Sequence, residues 1–336
     1  MQAKSRPVNI RDVAAAAGVS HQTVSRVLNN QPNIRAATRQ RVELAINSLG
    51  YRPSRVARAL ATNRSGTIGF ISTDNGMYGP PKTQRAIEVA ARDAGYFVST
   101  VNLVAVDHES MQNALSHLMD QGVEGLVLIA PQSAMLDSFE SAAFDRPFVT
   151  VDSAGRGGSH SIAIDQAVGA AKATRHLIEL GHERILHIGG PPDWLDSQAR
   201  VRSWQKVMRE AGLEAPEPIV GDWSSRFGRE IGREIARQDE FTAVFVSNDQ
   251  MALGLLDGFR REGREVPDFM SVVGFDDIPE SEYFCPPLTT VRPDFSKLGR
   301  QCMAMLLAQL RGEEPAQTFP IPPSLAVRDS TGPPRD

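Results

Sequence analysis

The chain has 336 residues, 41% hydrophobic and 23% charged, too long for one core and suited to two or three. It holds no run of about 20 apolar residues, and Met1–Pro7 is followed by no apolar stretch of signal-peptide type, so a membrane protein or exported protein is not expected. The net charge of −4 argues against nucleic acid, but its distribution reverses that: residues 1–64 carry eleven basic side chains against Asp12 and Glu43, +9, leaving −13 on the rest.

Ile10, Val13, Ala14 and Ala17 recur at i, i+3, i+4 and i+7, which predicts a short amphipathic helix. Gly18 permits a sharp turn, and Ser20 is an N-cap for a second helix over 21–29 with Val24, Val27 and Leu28 facing inward. Two short helices joined by such a turn form a helix-turn-helix. His21, Gln22 and Arg26 then stand on the outer face near the end that enters a major groove, where Gln reads adenine and Arg reads guanine. Thr23, Ser25 and Asn29 suit phosphate contacts. A third helix over 37–49 is expected to bury Val42, Ala45, Ile46 and Leu49 and to end at Gly50. Pro53 breaks the chain, and Ser54 caps a two-turn segment over 55–61 that can fold only when docked, on DNA or on its twin. Leu60 on that segment is an apolar wedge suited to a minor-groove step.

Beyond residue 66 the pattern changes to strands and helices in alternation. Strands are expected over 67–72, 97–102, 125–129, 148–151, 185–188, 243–247 and 271–274. Helices are expected over 82–94, 109–121, 134–143, 166–180, 199–211, 228–238 and 250–262. Repeated βα order means parallel sheets covered on both faces, here in two lobes, with ligand bound beyond the carboxyl ends of the strands. Asp152, Asn248 and Asp276 follow predicted strands, and Arg200 and Trp223 lie just past others. Carboxylates, an amide, a guanidinium fork and an aromatic face together suit the hydroxyls and apolar face of a sugar. Asp249, beside Asn248, reads as an ordinary helix N-cap. The adjacent pair Asp276 and Asp277 is expected to point apart rather than to form a catalytic dyad.

Ala17-Gly-Val-Ser-x-x-Thr-Val-Ser-Arg-Val-x-Asn29, followed by 51–63, resembles the LacI/GalR family of repressors. The resemblance extends over 66–328, through Gly221-Asp-Trp-Ser, Ser247-Asn-Asp-Gln-Met, Val272-Val-Gly-Phe-Asp-Asp and Asp294-Phe-Ser-Lys-Leu-Gly. It implies an all-α helix-turn-helix domain (1–53), a hinge helix and linker (54–65), a two-lobed α/β core like that of periplasmic binding proteins (66–330) and a tail (331–336). It also implies base reading by His21, Gln22 and Arg26, with Ala57 and Leu60 in the minor groove. Arg200, Asn248 and Asp276 would hold sugar hydroxyls, Trp223 and Phe295 would form apolar walls, Asp152 would lie near a far hydroxyl, and Pro80 would line the first lobe. Ile129, Ile164, Trp194, Asp196 and Pro293 stand where a sugar-binding member has Asn, Phe, two serines and Gln, so the clamp is kept while the walls differ.

The function implied is that of a cytoplasmic homodimeric repressor on a near-palindromic double-stranded operator, released by a small sugar, a galactoside or related glycoside. The alternatives are a co-repressor response, or a sugar-binding protein or enzyme on the same core. No catalytic group, metal site or cofactor site is expected: Gly189-Gly-Pro-Pro lacks the Lys-Ser/Thr of a P-loop, and His176 and His182 have no carboxylate at metal spacing. Cys285 and Cys302 are expected as free, buried thiols. The final residues contain no leucine heptads, so a dimer that does not loop DNA by itself is expected.

Overall fold

A computed structural model describes residues 8–28, 31–52, 64–73, 77–153 and 160–335. The chain divides into two compact units, Met1–Gly66 and Thr67–Asp336. In the first, Asn9 caps α1 (Ile10–Ala17) by accepting from the amides of Arg11 and Asp12, while the Asp12 carboxylate accepts from the Asn9 amide at 2.8 Å. This reciprocal box satisfies amides that the helix itself leaves open. Gly18 turns the chain with φ 62°, and the Ser20 hydroxyl accepts from the Thr23 amide at 3.2 Å to start α2 (His21–Leu28). α3 (Ala36–Leu49) completes a core in which Val13, Val24 and Val42 are fully buried among Ala14, Ala17, Val27 and Ala45. Leu49 departs from expectation: it is exposed, because the last turn of α3 runs past the small three-helix core.

The second unit has two sheets. One is ordered β2 (Phe97–Leu103), β1 (Thr67–Thr73), β3 (Gly125–Ile129), β4 (Phe148–Val151), β5 (Ser161–Ile162), all parallel. The other runs β11 (Ser324–Ala326), β10 (Thr289–Arg292), β9 (Ser271–Phe275), β8 (Ala243–Val246), β6 (Ile185–Gly189), β7 (Ile219–Val220), parallel except for β11. Every residue of β3, β6, β8 and β9 is buried, as strands covered by helices on both faces must be. The covering helices are α4 (Gly79–Asp93), α5 (His108–Asp120), α6 (Ser133–Ser141), α7 (Gln166–Glu179), α8 (Leu195–Glu210), α9 (Ser225–Ile235), α10 (Asp249–Arg261) and α11 (Phe295–Leu310).

Three helices, α4, α8 and α9, begin about a turn earlier than the sequence pattern indicates. Ser224 caps α9 by accepting from the Phe227 amide at 3.1 Å, and α8 opens with an apolar residue, Leu195, rather than a polar cap. Leu195 packs into the core of the first lobe with Ala130, Met135 and Leu136, and its amide donates to the Pro131 carbonyl at 2.9 Å. α11 and the short strands β5, β7, β10 and β11 carry no prior expectation. Asp294 caps α11, which returns from the second lobe to set Leu298, Cys302 and Leu306 against Ile68, Phe70 and Val127 of the first. Ile321 and Ile164 pair where two crossing segments run side by side.

Both cysteines are free, but only Cys302 is buried, which pushes its thiol up; Cys285 is exposed in the loop before β10. Residues 331–335, expected as a tail, are tied to the second lobe: Thr331 bonds His176, the Gly332 carbonyl bonds His182, and Arg335 pairs with Asp239. Both histidines are thus structural. Among the described residues no helix is long and apolar enough to cross a membrane, and no cluster of three metal-ligating side chains occurs.

α9 and α10 approach through paired glycines, Gly228 and Gly232 on one, Gly254 and Gly258 on the other. A Cβ at Gly254 would lie 1.9 Å from the Ser225 carbonyl oxygen, a backbone atom that cannot swing aside. Gly254→Ala must therefore separate the helices, and overpacking of this kind costs about 1–3 kcal/mol. A urea titration of the variant is expected to show a lower midpoint, whereas Ala substitution at half-buried Gly79, where a Cβ meets nothing within 4 Å, is expected to leave it nearly unchanged.

Candidate functional site

Two surfaces carry the chemistry, one in each unit. On α2, burying Val24 and Val27 turns the opposite face outward, and His21, Gln22 and Arg26 are all exposed on it. Thr23 is half-buried, its hydroxyl 3.0 Å from that of Ser20, and Ser25 is half-buried. The outer face thus offers an amide, a guanidinium and an imidazole to a groove. Arg39 on α3 donates to the Gln31 carbonyl at 3.3 Å. Asn29, Ala57 and Leu60 lie outside the described residues.

The second surface is a cleft between the lobes of the larger unit. Its first chamber is lined by Pro80, Asp152, Arg200, Asp276 and Phe295 together with Ile129, Ile164, Gln166, Asp196 and Pro293. A second chamber adds Met77, Tyr78, Trp194, Trp223 and Asn248, and shares Gly79, Pro80, Asp196, Arg200 and Asp276 with the first. All seven expected ligand residues therefore line one continuous cleft, five in the first chamber and two in the second.

Arg200 organises this cleft. It projects from α8 and is only 5% exposed. Its Nε and Nη2 donate to the Gln166 side-chain oxygen at 3.0 and 2.8 Å, and Nη1 donates to the Ser247 carbonyl. The guanidinium lies 3.6 Å over the Phe275 ring, and Asp196 approaches Nη2 to 3.9 Å. Burial lowers its pKa, countered by Asp276, Asp196 and Asp249, so the charge is kept by acidic neighbours. Gln166, at the first position of α7, is a functional residue that sequence reasoning missed. No periodicity marks it, and only the fold brings it to Arg200.

Asp276 is the complementary charge. Burial pushes its carboxyl up to about 7; Arg200 pulls it down and Asp196 pushes it further up. Its carboxylate makes no hydrogen bond among the described residues, whereas Asp277 next to it is held by Arg292 and, at 2.7 Å, by Arg328. The pair does point apart. Asp276 has φ 108°, Asp277 48° and Trp223 70°, left-handed backbone that side chains with a Cβ avoid. Two of these residues, Trp223 and Asp276, line the cleft, where the surrounding structure dictates their geometry. Trp223 lies flat against backbone: a Cβ at Gly190 would fall 2.1 Å from its ring.

The cap expected of Asp249 is supplied by Asn248, which also lines the cleft. Asn248 is the cap of α10, accepting from the Met251 amide at 2.9 Å, and its Nδ2 donates to the Trp223 carbonyl and to Gln250, both at 3.0 Å. It steadies Trp223 as much as it faces the cleft. Asp249, a residue later, is fully buried and accepts from the Thr290 hydroxyl at 2.6 Å and the Ile278 amide at 2.9 Å, with burial and then Asp276 raising its pKa. It braces the loop carrying Asp276. Asp152 accepts from the hydroxyls of Thr150 at 2.6 Å and Ser161 at 3.1 Å. Tyr78, not anticipated, borders the second chamber, its hydroxyl held protonated (pushed up to about 12) by burial and then by Asp276, Glu280, Asp249 and Asp277. The cleft thus offers donors from Arg200, acceptors from Asp152, Asp196 and Asp276, and aromatic faces at both ends.

Residues 9–54 match the model of bacterial regulatory proteins of the lacI family, and residues 174–331 that of a periplasmic binding protein-like domain. The chain is 33% identical over 330 residues to the lactose operon repressor of Escherichia coli (strain K12), covering 97% of this chain and 91% of the relative. Its fold superposes on the crystal structure of the lac repressor dimer bound to operator and the anti-inducer ONPF with a TM-score of 0.86 at 32% identity, over 97% of this chain and all of the other. A complex of the transcriptional regulator CelR with cellobiose gives 0.69 at 30% identity, again over 97% and all. Helix-turn-helix unit, two-lobed parallel-sheet core and full-length similarity agree, and the chain belongs to the lacI family of bacterial regulatory proteins.

Proposed function

We propose that this protein is a transcriptional repressor that holds a near-palindromic operator as a homodimer in the cytoplasm and releases it when a glycoside enters the interlobe cleft. The observation that carries the ligand half is the pairing of Arg200, whose donors are preset by Gln166 and Ser247, with Asp276, a carboxylate left without a hydrogen bond at the same cleft. Neutral hydroxyls satisfy both at once, donating to the carboxylate and accepting from the guanidinium. The relatives that bind operator with ONPF, or cellobiose, support a sugar, with a galactoside or related glycoside as the ligand class. Among the described residues no nucleophile stands with a base at the cleft, which favours binding without turnover.

The operator half rests on His21, Gln22 and Arg26 of α2. Specific contacts by Gln and Arg each discriminate against a wrong base by about 1–3 kcal/mol. Ligand acts by favouring one of two lobe arrangements, and only its differential affinity for them shifts the equilibrium.

Three outcomes are expected. In gel-shift titrations Arg200→Ala and Asp276→Asn bind operator as the parent does but are not released by glycoside; loss of operator binding in both, with folding intact, would overturn the scheme. Tighter operator binding on adding glycoside would instead identify the ligand as a co-repressor. Replacement of Gln22 relaxes base preference at one operator position, whereas Arg39→Ala weakens binding evenly across sequences. Finally, because a ligand hydroxyl prefers an ionised acceptor and Asp276 titrates at about 7, glycoside affinity measured by calorimetry falls as pH drops below about 7; Asp276→Asn removes that component.

A further inference from the structure

Arg200 uses only half of the amide that holds it. Its Nε and Nη2 both donate to the side-chain oxygen of Gln166, at 3.0 and 2.8 Å. The amide cannot be turned over, because its NH2 would then face guanidinium N–H groups, donor against donor. Nε2 is thereby fixed on the side away from Arg200, where it makes no hydrogen bond among the described residues. Gln166 is only 7% exposed. So buried an amide, with both N–H groups of Nε2 unspent, points to an acceptor from outside the chain.

The surroundings say what kind of acceptor. Gln166 lines the first chamber and also a pocket behind it, and Asp152 and Ile164 line both as well. Helix α7 starts at the same corner. Asp165 caps its Val168 amide at 2.9 Å, while the amides of Gln166 and Ala167 lie in the first turn, where a helix provides no partner. The positive end of this 14-residue helix favours electron-rich atoms. An anion would accept here too, but it would meet the Asp152 carboxylate on the same wall and Asp165 at the cap. A neutral hydroxyl avoids that repulsion, since its oxygen accepts while its hydrogen goes to a carboxylate.

We infer, resting on the glycoside reading, that Gln166 contacts the ligand and selects one sugar hydroxyl: Nε2 donates to the hydroxyl oxygen where the first chamber meets the pocket behind it, and the hydroxyl donates to Asp152. One amide then has two tasks. Its oxygen sets the Arg200 guanidinium, and its nitrogen reads the sugar.

The test separates the two tasks. Gln166→Glu keeps an acceptor for Arg200 and replaces the Nε2 donor by an acceptor, so the hydroxyl would lie between two carboxylates with one hydrogen to give. The full chain is titrated calorimetrically with methyl β-galactoside, methyl β-glucoside and the monodeoxy analogues of each. For the glycoside that binds, one deoxy analogue is expected to bind the parent protein about tenfold more weakly, a difference of about 1.4 kcal/mol. In Gln166→Glu that one penalty shrinks to about threefold or less, while the penalties at the other positions stay as they were. Gln166→Met, of similar length and without a donor, gives the same selective loss should the Glu variant fail to fold. Penalties that are unchanged at every position, or that change equally at all, leave Gln166 as a support for Arg200 alone and overturn the inference, with the glycoside reading standing. Absence of binding by both glycosides overturns the inference and the reading beneath it.

Discussion

The body of this protein is arranged around one buried cation. Removing a guanidinium from water is costly unless each face and edge finds a partner, and Arg200 finds them on four separate elements. Gln166 comes from α7, the Ser247 carbonyl from the end of β8, Phe275 from the end of β9, and Asp196 from the preceding turn of α8 itself. None of these groups can move without stranding the charge. The strand ends are thereby fixed relative to one another, and with them Asp276, which follows Phe275 directly. Asp249, bonded to Thr290 and the Ile278 amide, holds the same loop from behind. A polar cleft in the lacI family could be built many ways; here its geometry follows from satisfying one arginine.

The two units solve stability differently. The N-terminal unit has a core of seven small residues, valines and alanines, and depends on local devices such as the Asn9–Asp12 box, the left-handed turn at Gly18 and the Ser20 cap. Small side chains let short helices pack closely, which leaves the outer face of α2 free for other work. The larger unit buries long apolar strands and concentrates its irregular backbone at Trp223, Asp276 and Asp277. Backbone strain at Trp223 and Asp276, both lining the cleft, suits a preformed binding site.

Much of this was legible in the residues. Alternating βα order, helix starts at Ser20 and Gly ends at Gly18 and Gly50 are local signals, and local signals survive folding. What escaped were features that only long-range contact defines. Gln166 gains its meaning from a residue 34 positions away. α11 belongs to the first lobe although the chain reaches it after the second, and β5, β7 and β11 are too short to show a period. The move of the cap from Asp249 to Asn248 turned on a shift of one residue in where α10 begins. Leu49 looked internal by periodicity, yet it lies exposed at the last turn of α3.

Leu195 links these observations to motion. It belongs by sequence to the second lobe and by packing to the core of the first. Drawing the lobes apart must return this side chain to water and leave a hole behind it, at a cost of about 1.5–3 kcal/mol for a fully buried leucine. The separated arrangement therefore begins at a disadvantage of roughly one or two powers of ten in population, before ligand or operator contributes anything. Whatever binds the cleft works on lobes that the burial of this one aliphatic side chain already favours holding together.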